Sequence, residues 1–201
     1  MHHASSMPIL VDRERQRVHV AELAGHVVAE EGVGALTFRR MAEAAGTSTA
    51  IVSTYFDDKR DLLILTHKTA ARRTSVRFET AMERGGDLQD CLEAWLPLDD
   101  ERLLDWRVII AFWGVAVNDP DLAEIQDGHV SRARKRIEAF VMKHRGLSRP
   151  NAPVTRTAEK VLALTLGIAF QAVFERTDSH RIPQRELLAA GLAEFDAAPP
   201  R

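Results

Sequence analysis

Residues Leu36–Leu63 read LTFRRMAEAAGTSTAIVSTYFDDKRDLL. Two segments of helical composition, Phe38 to Ala45 and Thr49 to Tyr55, flank Gly46-Thr47-Ser48, and neither is long enough to bury a core of its own. A chain keeps such a pair where the turn geometry serves a purpose, and the helix-turn-helix is the motif that fits. The Thr37 hydroxyl is placed to cap the first helix, with Leu36 and Met41 spaced as a hydrophobic staple. Ala42 is small where the helices would cross, Gly46 suits a positive φ, and Ser48 can cap the second helix. Ile51 and Val52 are assigned to its inward face. That leaves Thr49, Ala50, Ser53 and Thr54 outward, with Ser48 beside them, as residues small enough to meet base edges in a major groove. Thr37, Arg39, Arg40, Tyr55 and Lys59 surround them as phosphate contacts. The alternative at this stage is a corner in an ordinary helical bundle, a small-molecule-binding or interaction protein without DNA.

Outward from this stretch, helical spacing dominates and alternating β-branched runs are scarce. The pattern predicts an all-α chain of about nine helices. The first runs from about Ile9 to Glu31 with Val20, Leu23, Ala24, Val27 and Val28 inward; a long one follows from Asp58 to Arg84, then a short one from Leu88 to Leu96. Asp99-Asp100-Glu101 opens a helix whose Leu103, Trp106, Ile110, Trp113 and Val117 form a 3-4-3-4 stripe. Pro120 starts the next, which runs to about Arg145, and RGLSRPNAP (Arg145 to Pro153) reads as a linker. Helices near Thr155 to Arg176 and Gln184 to Phe195 close the chain, with a frayed AAPPR tail.

Composition narrows the function classes. The 201 residues are 45% hydrophobic and 28% charged, which excludes a disordered chain. The longest apolar runs, Val108 to Val117 and Val161 to Phe174, fall short of the roughly 20 residues that span a bilayer, so no membrane partner is expected. MHHASSMPIL lacks the features of a secretory signal, and Cys91 has no internal disulfide mate; a cytoplasmic protein is the simpler reading. Net charge is −2, and residues 1–80 carry 11 Lys and Arg against 10 Asp and Glu, so DNA binding has to rest on local geometry rather than overall charge. No phosphate loop, GxSxG elbow, catalytic carboxylate pair or HExxH occurs; His2 and His3 fall in a start expected to be disordered, and the other histidines are scattered. An enzyme, a metal site and a cofactor are therefore not expected. SRARKR (Ser131 to Arg136) reads as a solvated face of a helix whose inner side is Val130, Ala133, Ile137 and Phe140.

The opening stretch resembles the DNA-binding signature of the TetR family of bacterial regulators, through Thr37, Ala42, Gly46, Ser48, Tyr55, Phe56, Lys59 and Leu62. The combination STxIxSxYFxDK is similar to the BetI-like branch, the regulators of choline-to-betaine genes, as are IAFWGVAVNDPDLAEIQ (Ile110 to Gln126) and the late ALTLGIAFQA run. The likeness covers about residues 10–190. Ser53 and Thr54 differ from the common TetR pattern, which has Tyr at the first and often His or Tyr at the second; Thr54, Thr47 where Val is usual, and Leu166 where an acidic residue often precedes the late glycine depart from the likeness. Neither an operator sequence nor a ligand is carried over. The resemblance implies a three-helix DNA-binding domain over residues 9–60 and a helical regulatory and dimerisation domain over 61–196. It further implies a homodimeric repressor that a small-molecule effector releases from a palindromic double-stranded DNA operator.

A single recognition helix reads few base pairs, so a dimer is expected. Leu162, Leu166, Phe170 and Phe174, with Leu188 and Leu192, are the expected interface. The aromatics Trp95, Trp106, Phe112, Trp113 and Phe140, joined by Phe170 and Phe174, are the expected walls of a ligand pocket, with packing as their other role.

Overall fold

The computed structural model describes the backbone of residues 7–175 and 183–196, and the side chains of residues 13–175 and 183–193. His2, His3, Arg176 and the AAPPR tail lie outside the described residues. Within them the chain is all-α: α1 (Met7–Glu31), a 3-10 turn (Val33–Ala35), α2 (Phe38–Ala44), α3 (Thr49–Tyr55), α4 (Lys59–Glu83), α5 (Leu88–Glu93), α6 (Asp100–Ala116), α7 (Pro120–Arg145), α8 (Ala152–Val173) and α9 (Gln184–Asp196).

Capping residues set most of these boundaries. Side chains of Thr37, Ser48, Asp58, Asp87, Asp99, Asp119 and Asn151 accept backbone N–H groups at the starts of α2 to α8. Because Asn151 caps α8, Pro153 falls inside the first turn of that helix, and the linker is shorter than its Pro and Asn content predicts. Gly146, at φ 62°, ends α7.

The expected inner residues of α1 are in place, with Val20, Ala24, Val27 and Val28 buried. The stripe expected on α6 is not its only core face. Val117 is 81% exposed, while Val108, Ile109, Phe112 and Ala116 are buried together with Trp106. The cause is position: α6 packs against α1, α4, α7 and α8, so apolar residues are needed on several sides of it. At the far end α9 lies close on α8, where a Cβ on Gly191 would clash with Leu164 Cδ2. Cys91 is buried, as expected of a core residue.

Among the ionic ties of α4, one runs to α6 and one to the cap of α7. The Asp105 carboxylate of α6, fully buried, accepts from Arg73 Nε at 2.8 Å and Arg77 Nη1 at 2.9 Å. At the start of α4, Arg60 binds Asp119 (Nη2 to Oδ1, 2.7 Å) and Asp121 (3.0 Å). Asp119 also accepts the backbone N–H groups of Asp121 and Leu122, so the cap of α7 is the anchor of α4 as well. No described helix is long and apolar enough to cross a membrane.

Candidate nucleic-acid interface and interior cavity

The turn between α2 and α3 is closed by two reverse hydrogen bonds, Thr47 N–H to Ala42 O at 2.9 Å and Gly46 N–H to Glu43 O at 3.3 Å. This is the Schellman arrangement, and it requires the left-handed φ of 61° that Gly46 adopts. Leu36, Met41, Ala42, Val52 and Phe56 are buried and seat α3 on α2. Thr49, Ala50, Ser53 and Thr54 are exposed, with Ser48 before them. Ile51 departs from expectation: it is 47% exposed and stands on the outward side. In so short a helix Val52 and Phe56, four residues apart, already fill the inward stripe, and Ile51 is rotated away from it. The outward face therefore carries an apolar residue fit for a thymine methyl. Ser53 Oγ donates to Ala50 O at 2.8 Å and Thr54 Oγ1 to Ile51 O at 2.7 Å, which leaves both hydroxyl oxygens outward as acceptors for base amino groups.

Residues far away in sequence brace the end of α3. Arg13 Nη2 donates to Thr54 O at 2.9 Å, and Arg17 donates to Tyr55 O. The Arg17 guanidinium also pairs with Asp61 at 3.0 Å and lies 4.8 Å from the Phe56 ring centroid. Sequence reasoning missed both arginines, since nothing local marks them. Of the expected phosphate contacts, Thr37, Arg39 and Lys59 are exposed and Tyr55 is half-buried. Arg40 is not free as expected: Glu31 holds its guanidinium at 2.6 and 3.0 Å. This hydrogen bonding holds the Glu31 carboxyl below the usual carboxylate range.

A cavity of about 90 Å³ lies between α4, α6, α7, α8 and the segment after α5. Trp95, Trp106 and Trp113 line it, as three of the seven aromatics predicted for a pocket do. The other four lie elsewhere. Phe112 is buried behind the cavity, stacked on His67 at 3.9 Å between centroids. Phe140 packs edge-on against His144 by a separate hollow near α9. Phe170 and Phe174 are 42% and 60% exposed on the outer side of α8. His67 and His129, scattered in sequence, meet edge-on in the cavity wall at 4.7 Å. Burial, then the neighbouring His129, pushes His67 down to about 3. His129 is pushed down to about 4 by burial and then Arg132, so both rings are neutral near pH 7. SRARKR is only partly the solvated face expected, because Arg132 and Arg136 border the cavity. Arg136 pairs there with Glu79 at 2.9 Å.

Comparison with known proteins now decides the family. Residues 22–65 match the profile of bacterial regulatory proteins, tetR family, and residues 86–197 that of the BetI-type transcriptional repressor, C-terminal. The chain belongs to the TetR family. This DNA-binding transcriptional regulator is 25% identical to the HTH-type transcriptional regulator PksA of Bacillus subtilis, over 88% of each chain. It is 28% identical to the regulator BetI of Paraburkholderia phytofirmans, over 81% of this chain and 84% of that one. Among solved structures it is similar to a transcriptional regulator from Rhodococcus sp. Rha1 (TM-score 0.76, 25% identity, 91% of this chain and 99% of that one). A regulator from Saccharomonospora viridis, solved in complex with choline, shares its fold (TM-score 0.74, 18% identity, 92% and 97% covered).

The regulator's expected interface residues divide by burial. Phe170 and Phe174 pack on each other at 5.0 Å between centroids and face outward, as does Leu187, which was not among the expected residues. Leu162 and Leu188 are buried in the protomer's own core, which removes them from any surface a second copy could touch. Leu166 lines the cavity and Leu192 is half-buried.

Proposed function

We propose that this regulator is a homodimeric repressor acting in the cytoplasm, whose α3 helices read a palindromic operator and whose cavity takes the effector that releases it. Residues 9–60 form the reading head and 61–196 the regulatory body. The observation that carries the reading is the outward face of α3: Thr49, Ala50, Ile51, Ser53 and Thr54 all stand in solvent on a helix fixed by a closed turn and two arginine braces. Thr37, Arg39, Tyr55 and Lys59 hold phosphates, and Arg40 joins them once it leaves Glu31. The apolar pair Phe170 and Phe174, with Leu187, supports α8 and α9 as the dimer face.

Release follows from the ties on α4. A cavity of about 90 Å³ is smaller than the roughly 150 Å³ that admits a benzene ring, so an effector of that size has to push α4 and α7 apart. Arg60 passes that movement on between Asp119 and the reading head, changing the spacing of the two α3 helices.

Binding to DNA flanking the regulator's own gene, titrated against salt with unrelated DNA as competitor, tests the assignment. Specific binding that weakens steeply with salt is expected, and Thr49→Ala or Tyr55→Ala should cost about 1–3 kcal/mol with the fold intact. Unchanged affinity in both variants would remove α3 as the reading helix.

A further inference from the structure

We propose that the cavity selects a compact organic anion, a carboxylate on an apolar body, over a cation of the same shape; this deepens, and rests on, the effector reading above. Its lining contains no aspartate or glutamate. The Glu79 carboxylate, which pairs with Arg136 of the lining, is already taken. Arg132, an exposed residue of α7, borders the cavity and has no ion-pair partner among the described residues. A negative group entering there meets an uncompensated cation, whereas a positive one meets repulsion with no acid to offset it.

The interior polar atoms favour the same guest. Trp95 Nε1 donates to Thr74 O at 3.1 Å and Trp106 Nε1 to Trp95 O at 2.5 Å, so those two indole N–H groups are spent on the scaffold. The hydroxyls of Thr74 and Ser75 donate to Ala71 O. Trp113 Nε1 is buried without a partner among the described residues. His67 is only 1% exposed. A buried donor left unpaired is costly, and a carboxylate oxygen is an acceptor that satisfies the Trp113 N–H. Ile109, Leu162 and Leu166 supply the apolar wall for the body. Burial is the first cause of the low proton affinity of both histidines, and the nearby charges of Lys68 and Arg132 add to it.

The chain's three tryptophans all line this cavity, so tryptophan emission of the full-length protein reports on it directly. The probes are tert-butylacetate, tert-butylethanol and choline, which share one trimethyl head and carry negative, zero and positive charge. The expected result is tert-butylacetate binding about tenfold or more tighter than either other probe, with Arg132→Gln reducing it to the level of the alcohol. Choline binding as well as the acid, no response to the acid at millimolar concentration, or an anion preference that survives Arg132→Gln overturns the proposal. DNA binding in the same titrations separates the two readings. Acid that binds without releasing DNA upholds the anion site and removes its effector role. DNA release by choline alone keeps the effector role and removes the anion class.

Discussion

Replacing Asp105 by asparagine measures how firmly α4 is held to α6. The carboxylate is fully buried between Arg73 and Arg77, whose side chains are 28% and 21% exposed. Asparagine keeps the volume but sets a neutral amide, with N–H groups of its own, against two cations. Breaking a buried pair costs about 3–5 kcal/mol. Both arginines can swing toward water, and Glu101 still holds Arg77 at 2.7 Å, so the expected loss is nearer roughly 2–3 kcal/mol. With a urea slope of about 2–3 kcal/mol per molar, the unfolding midpoint falls by about 1 M. Circular dichroism and tryptophan emission, read at one protein concentration, should give coincident transitions. A triple variant, Asp105→Leu with Arg73→Met and Arg77→Met, removes all three charges and should recover most of the stability. A midpoint shift below about 0.25 M for Asp105→Asn, or a triple variant no more stable than the single one, refutes the reasoning.

Glu31→Gln frees Arg40 from its carboxylate, so DNA affinity at low salt should rise and the salt dependence should steepen by about 0.9 per added phosphate contact; an unchanged slope shows that Arg40 never reaches the backbone. His67 sits at about 3 when folded against 6.5 when unfolded, and His129 is shifted the same way to about 4. The unfolded chain therefore takes up protons first, stability is full above pH 6.5 and is lost as pH falls toward 4, with His67 alone contributing up to about 1.4 kcal/mol per pH unit. Urea midpoints at neutral pH and near pH 5 check this, and His67→Gln should flatten the difference. Phe170→Glu with Phe174→Glu should shift sedimentation to the monomer and weaken operator binding by about a hundredfold or more; a dimer that persists moves the interface off this face.

Much of the reading head was legible because its signals are local. Thr37, Gly46 and Ser48 act within a few residues of themselves, so their caps and the turn could be read from spacing alone. Ile51 was misassigned because a two-turn helix has too few positions for a stripe to show its phase. Arg13, Arg17 and the Glu31 hold on Arg40 depend on how α1 crosses α2 and α3, which spacing does not encode. The cavity was half legible for a similar reason. Aromatic density pointed to the right helices, but packing claimed Phe112 and Phe140, and the His67–His129 contact exists only once α4 and α7 are side by side.

Asp119 leaves the regulator little freedom to drift at one position. Most substitutions there would remove the start of α7 and the tether of Arg60 together, so a change that merely loosened the head would also weaken the body it reports to. Asparagine, serine and threonine are the exceptions, since the oxygen of each still caps a helix while the charge is gone. The evolutionary route to a retuned switch at this joint is thus narrow, confined to the few neutral capping residues, and the same steps give the experimenter a way to slacken the coupling without unravelling the helix.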